Sequence, residues 1–131
     1  MTDDLFVYGS LRTGAGTRME AELVRGARAA GRGWLPGRLY DLGAYPGYVP
    51  GAEDDGRVLG EVWTLTAPET LLPLLDRYEG CTEDDPEPHE YRRVVQTVQM
   101  ADGSTREAWV YVYNRPPAGL RPIPGGDYLR R

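Results

Sequence analysis

At 131 residues the chain has the length of one domain, and 1–131 reads as a single unit. One Cys (Cys81) and one His (His89) exclude an internal disulfide, provide no metal-ligand cluster and close most of the space of Ser-His-Asp and Cys-His triads. A net charge of -5 gives no electrostatic footprint for nucleic acid or an anionic membrane, and with no long apolar run and an acidic start, Met1-Thr2-Asp3-Asp4, the expected location is the cytoplasm.

Leu5-Phe6-Val7-Tyr8 is a short apolar run that stops at Gly9 and reads as a strand buried on both faces. A polar loop to Gly16 follows. Thr17 and Glu20 form a capping-box pattern, and Met19, Leu23, Ala27 and Ala30 recur at helical spacing, which predicts a helix from Arg18 to about Ala30 with Gly26 as its weak point. From Gly31 to Gly56, Gly, Pro and Tyr surround extended pieces at Trp34–Leu42 and Pro46–Val49 that suit bent or edge strands. Val58–Leu65 reads as a strand. Thr66 with Glu69 is a second capping box, opening a helix with Leu71, Leu72, Leu75 and Tyr78 on one side that Pro73 is expected to kink or shorten.

Tyr91–Met100 and Arg106–Tyr113 are β-rich runs joined through Asp102-Gly103, a hairpin signal. On the second run Trp109, Tyr111 and Tyr113 alternate with Val110 and Val112, so one face is core and the other is core or pocket wall. The tail after Asn114 is rich in Pro and Gly, and its Tyr128 and Leu129 predict packing. About six strands, two short helices and no internal repeat predict an α+β domain with a curled or barrel-like sheet.

The carboxylates are the chemical groups that remain. Glu79 closes the second predicted helix, where the negative end of the helix dipole disfavours a carboxylate. Two readings stand: an exposed Glu at a frayed helix end, or a carboxyl kept for a raised proton affinity. The acidic run Glu83, Asp84, Asp85, Glu87 and Glu90 reads either as a solvated loop or as a source of negative potential over a site mouth, which would favour a cationic partner. Gly9-Ser10 is either a plain strand exit or a turn whose amides face a ligand. Cys81, among acids at a helix end, is a poor thiolate, and His89 reads as a surface residue.

Taken together, Phe6-Val7-Tyr8-Gly9-Ser10-Leu11-Arg12, Tyr45-Pro46-Gly47-Tyr48-Val49, Gly60-Glu61-Val62-Trp63, Leu75-Asp76-Arg77-Tyr78-Glu79-Gly80, Tyr91-Arg92-Arg93, Ala108 through Tyr111 and Gly126-Asp127-Tyr128 cover nearly the whole chain in order. In these the chain resembles the γ-glutamylcyclotransferase-like family, which includes γ-glutamylamine cyclotransferases, AIG2-like proteins and the deprotecting cyclotransferases of aminoglycoside pathways. The resemblance implies a small mixed β-barrel with peripheral helices. It implies substrate binding by Tyr8, Gly9, Ser10 and Leu11, with Tyr91 and Tyr111 lining the pocket and Glu79 as acid and base.

The implied reaction is attack of the substrate's α-amino group on its own γ-carbonyl, giving 5-oxoproline and a free amine without a cofactor or metal. Such a tethered nucleophile asks the protein for one proton carrier and an oxyanion site only. The competing expectations are a non-catalytic small-molecule-binding or interaction protein on the same barrel, and a hydrolase using Ser10, which lacks an evident base.

Overall fold

The computed structural model describes residues 2–9, 18–43 and 45–130. In chain order its elements are β1 (Asp4–Val7), α1 (Arg18–Gly26), β2 (Ala27–Asp41), β3 (Pro46–Pro50), β4 (Arg57–Leu65), α2 (Pro68–Glu79), β5 (Tyr91–Met100), β6 (Thr105–Tyr113) and β7 (Arg121–Pro122). β1 lies between β4, its antiparallel partner, and β6, its parallel one. β5 and β6 form the expected hairpin, turning at Gly103 with a positive φ of 90°. β2 pairs with β4 and, through Gly33 and Trp34, with Met100 and Gln99 of β5, so that β2-β4-β1-β6-β5 closes into a mixed barrel. Beyond Pro36, β2 leaves the barrel wall to pair with β3 and β7. The described strands number seven against about six expected; the addition is the two-residue β7 inside the tail.

Closure depends on close backbone approach. A Cβ at Gly33 would stand 2.8 Å from both the Gln99 carbonyl oxygen and Val98 Cγ1, so the seam between β2 and β5 requires glycine. Inside the barrel the Phe6 ring packs over Gly60, where a Cβ would stand 2.6 Å from Phe6 Cζ.

Two apolar layers share the sheet. Phe6, Tyr8, Leu35, Val62, Val110 and Val112 belong to the barrel interior. Leu5, Val7, Leu23, Leu75, Tyr91 and Tyr111 belong to the layer between the outer face and the helices. Alternation along β1 and β6 therefore sends successive side chains into two different cores, which is why Leu5 to Tyr8 are all buried. Ile123 and Tyr128 of the tail are buried in the barrel layer, and the Ile123 amide donates to the Leu39 carbonyl at 2.7 Å.

Three expectations change. The first helix ends at Gly26 rather than near Ala30, because residues from Ala27 onward take ladder partners on β4, with a bulge between Ala29 and Gly31 where φ reaches 131°. The Thr66–Glu69 capping box does not form: the N-cap is Ala67, followed by Pro68 in the first turn, and the Thr66 hydroxyl donates instead to the Gly26 carbonyl at 3.0 Å. Pro73 does not shorten α2, which runs to Glu79 with Leu71, Leu72 and Leu75 buried on both sides of the exposed ring. The Thr17–Glu20 capping pattern lies outside the described residues and side chains. No helix among the described residues is long and apolar enough to cross a membrane.

Gly60→Ala is expected to lower the unfolding free energy by about 1–3 kcal/mol, the usual cost of overpacking, because Phe6 and the Val7 carbonyl occupy the space a methyl would need. Urea titration followed by tryptophan fluorescence measures it.

Candidate active site

The pocket forms where β1 ends. Phe6, Val7, Tyr8 and Gly9 contribute from that strand and its exit, Tyr45 and Pro46 from the approach to β3, Glu79 from the end of α2, and Tyr91 and Tyr111 from the β5–β6 hairpin. Gly9 is buried against Pro46, with a built Cβ 2.7 Å from Pro46 Cγ, so a larger residue would separate the two segments that meet here.

Three of the four pocket tyrosines, Tyr8, Tyr91 and Tyr111, have their hydroxyl protons committed to the pocket wall and to the helix behind it. Tyr8 Oη donates to the Tyr111 carbonyl at 2.6 Å and accepts from the Tyr48 amide at 3.2 Å. Tyr91 donates to the Pro46 carbonyl at 2.6 Å, and Tyr111 to Asp76 Oδ1 at 2.7 Å. Burial is the leading cause that holds all three well above the ordinary tyrosine range, so they form a neutral aromatic wall.

Glu79 is different in kind. Its carboxyl is pushed up to about 8, first by burial and then by the neighbouring carboxylates of Glu90 and Asp76. The helix ends immediately after it in a Schellman arrangement: Gly80 is left-handed at φ 71°, the Cys81 amide donates to the Asp76 carbonyl at 3.0 Å, and the Gly80 amide to the Arg77 carbonyl at 3.3 Å. Glu79 is thus fixed at the negative end of the helix, half-buried, in contact with the pocket and with a vestibule outside it. A carboxyl that exchanges its proton near neutrality, walled by groups that do not, can act as both base and acid.

The vestibule, of about 320 Å³, is lined by Tyr45, Tyr78, Glu79, Gly80, Glu90 and Tyr91. Tyr45 Oη donates to Glu90 Oε1 at 2.8 Å, and Arg115 lies 3.9 Å from Glu90 Oε2. Of the acidic run, Glu90 alone faces this opening. Glu83, Asp85 and Glu87 border a separate hollow with Cys81 and His89, and Asp85 Oδ2 accepts from the Thr82 amide and hydroxyl at 2.9 and 2.8 Å. The idea that the whole run shades the mouth therefore narrows to one residue, because the loop folds on itself. The Cys81 thiol is pushed up to about 12 by burial and by Asp76, in keeping with a poor nucleophile. His89 is half-buried rather than on the surface, and its Nε2 has no hydrogen-bond partner.

Of the residues singled out from the sequence, Tyr8, Gly9, Glu79, Tyr91 and Tyr111 come together around one pocket. Ser10 and Leu11 lie outside the described residues. Along the chain Tyr45, Glu90 and the Asp76–Arg93 pair are only parts of motifs or of a charge run, since no local pattern reports contacts across 17 to 45 residues of chain. No group of three or more metal-ligating side chains exists among the described residues.

The raised Glu79 value makes stability depend on pH. The unfolded chain loses this proton near the ordinary value of about 4.3 while the folded chain keeps it to about 8, so its contribution is complete below the lower value and is lost as pH rises through the upper one. Glu79→Gln is therefore expected to raise the urea midpoint at pH 8.5 clearly more than at pH 5.

Comparison with known proteins points to a single family. The family model described as gamma-glutamyl cyclotransferase, AIG2-like, matches residues 5–130. The gamma-glutamylcyclotransferase family protein YtfP of Escherichia coli K12 is 39% identical over 130 residues, covering 97% of this chain and 96% of the relative. Its counterpart in Citrobacter rodentium is 40% identical over 131 residues at the same coverage. Among solved structures, E. coli ytfP superposes with a TM-score of 0.65 at 37% identity, covering 96% of each chain. A mouse AIG2-like protein superposes with a TM-score of 0.75 at 25% identity, covering 96% of this chain and 87% of that one. The chain, a mixed barrel whose pocket is lined by Tyr8 and Gly9 at the exit of β1 and by Glu79 at the end of α2, belongs to the gamma-glutamyl cyclotransferase, AIG2-like family.

Proposed function

We propose that this protein is a γ-glutamyl cyclotransferase that releases 5-oxoproline and a free amine from a γ-glutamyl amine, with Glu79 as its proton carrier. The observation that carries this reading is one carboxyl with a value near 8 at the boundary between an aromatic pocket and an open vestibule. The glutamyl part is held where the pocket opens into the vestibule, and the leaving amine extends outward along the vestibule.

Glu79 in its carboxylate form takes a proton from the substrate's α-ammonium group. The freed amine nitrogen attacks the γ-carbonyl carbon, forming the lactam C–N bond and placing negative charge on the carbonyl oxygen. When the tetrahedral centre collapses, the original amide C–N bond breaks, Glu79 returns its proton to the leaving nitrogen, and the second proton of the attacking nitrogen passes to the released amine, which departs as an ammonium ion and leaves the neutral lactam. No water is consumed, and the carboxylate is regenerated. The attacking atom is tethered five-ring distance from its target, so the protein contributes orientation and proton transfer. The oxyanion role belongs to backbone N–H groups of Gly9, Ser10 and Leu11 on the strength of the sequence resemblance; each well-placed donor is worth roughly 3 kcal/mol. Tyr8, Tyr91 and Tyr111 shape the glutamyl pocket with their rings.

The vestibule favours a cationic leaving amine. Glu90 supplies negative charge, and the faces of Tyr45 and Tyr78 are attractive to an ammonium group, whereas a leaving part with its own carboxylate would meet Glu79 and Glu90.

Incubation with a panel of γ-glutamyl amines, read by mass spectrometry, is expected to give 5-oxoproline, and Glu79→Gln to abolish it. Binding without product would favour a non-catalytic binding protein, and free glutamate would indicate hydrolysis. The acid limb of the kcat/KM profile should rise through about pH 8, since the free enzyme must hold Glu79 as carboxylate. Glu90→Gln is expected to lower kcat/KM for a cationic leaving group severalfold, on the order of one exposed charge contact, with neutral ones affected less. Neutral and anionic substrates turning over as fast as cationic ones would remove the leaving-group assignment.

A further inference from the structure

We propose that Asp76 is the positioning residue of this site, pinning the last turn of α2 to the β5–β6 hairpin and so holding the Glu79 carboxyl between pocket and vestibule. As a role in turnover this rests on the reading of Glu79 as acid and base; as a statement of geometry it stands apart from it.

Asp76 and Glu79 are three residues apart and are neighbours on the helix surface. Asp76 borders neither the pocket nor the vestibule, so it acts through other groups. Its carboxylate accepts three hydrogen bonds from nitrogen and oxygen donors, Arg93 Nε to Oδ1 at 2.8 Å, Arg93 Nη2 to Oδ2 at 3.1 Å and the Tyr111 hydroxyl to Oδ1 at 2.7 Å, and a longer one from the Cys81 thiol to Oδ1 at 3.9 Å. Arg93 and Tyr111 are directly opposite each other on β5 and β6, so the three bonds converge from one cross-strand pair. The guanidinium is fixed in turn by the Trp109 ring, 4.3 Å below it. On the backbone side, the Asp76 carbonyl accepts the Cys81 amide that closes the helix. One residue thereby ends α2 and fastens that end to both strands of the hairpin.

Docking of the helix does not require this arrangement. Leu71, Leu72 and Leu75 already bury the face of α2, and an apolar or neutral residue at position 76 would leave Glu90 as the one remaining neighbouring carboxylate of the two that raise Glu79. What the Asp76 cluster adds is orientation of the last turn, where the apolar contacts have ended. Bidentate guanidinium–carboxylate geometry gives that orientation a specificity that a simple ion pair lacks. It also turns the Tyr111 hydroxyl away from the substrate space and toward the helix.

Among the described residues, the groups around Glu79 are Asp76 on its own helix, Glu90 ahead of β5 with Arg115 3.9 Å from it, the neutral hydroxyls of Tyr8, Tyr91 and Tyr111, and Tyr45 and Tyr78 across the vestibule, with Arg93 behind Asp76 and the neutral Cys81 thiol beyond the helix end. Asp76→Asn keeps an acceptor for Tyr111 but removes an anion and exposes Glu79 to the Arg93 cation. Arg93→Gln does the reverse. The test is a carbon-13 NMR titration of the Glu79 carboxyl in wild type and both variants, alongside kcat and KM for a γ-glutamyl amine that the wild type turns over. Asp76→Asn is expected to lower the Glu79 midpoint and Arg93→Gln to raise it, and both to reduce kcat by on the order of tenfold, as for a slightly misplaced catalytic group, with KM nearly unchanged.

A Glu79 titration that neither variant moves, shifts of the same sign in both, or a loss confined to KM overturns the proposal. Should Asp76→Asn not fold, Arg93→Gln decides by itself, an unmoved titration refuting the assignment. If the wild type forms no 5-oxoproline from any substrate, the functional reading fails while the two NMR titrations still decide whether Asp76 sets the state of Glu79.

Discussion

The structure hangs on a strand of four residues that is buried on both of its faces. Leu5 and Val7 anchor the outer layer beneath the helices while Phe6 and Tyr8 enter the barrel, so β1 is common to both cores. The residue that follows it is its tie: the Tyr8 hydroxyl donates to the Tyr111 carbonyl of β6 and accepts from the Tyr48 amide of β3, joining three segments of the sheet inside an apolar interior where unmade hydrogen bonds are costly. The chain then leaves at Gly9, pressed against Pro46, and the pocket is the space those commitments leave open. The site is in this sense a by-product of how β1 must be buried.

Within that space the electrostatics run against stability. A half-buried carboxyl at the negative end of a helix, flanked by two more carboxylates, is disfavoured as an anion, and the protein contains a charged pair close by that could have been arranged to relieve it. The Arg93 cation is instead spent on Asp76, leaving Glu79 to meet the cost by keeping its proton. Strain of this sort collects where a group is kept for its proton affinity. The tyrosine wall works to the same end, since hydroxyls fully engaged with carbonyls and with Asp76 offer Glu79 little relief.

The hairpin was legible because its determinants are local: an Asp-Gly turn between alternating runs. β1 was legible from an unbroken apolar run, and the segments YGSL and LDRYEG were legible as a family signature. The boundary at Gly26 was not, because Ala27 and Ala30 fit helical spacing equally well and only pairing with β4 converts them to strand. Thr66 has the right neighbours for a cap, yet the Gly26 carbonyl, 40 residues earlier, takes its hydroxyl. The acidic run reads as one feature along the chain, but its folding sends Glu90 to the vestibule and Glu83, Asp85 and Glu87 elsewhere.

Composition and motif order by themselves excluded an internal disulfide, offered no soft-ligand cluster for zinc or iron-sulfur, closed most of the triad space, and singled out Glu79 among the carboxylates. Whether Glu79 is an exposed residue at a frayed end or a desolvated acid was open along the chain. Tertiary structure decided it, because proton affinity is set by what surrounds a group in space. Burial against β1 and the hairpin, with Glu90 and Asp76 brought alongside, raises that affinity, and none of those neighbours except Asp76 belongs to the same element.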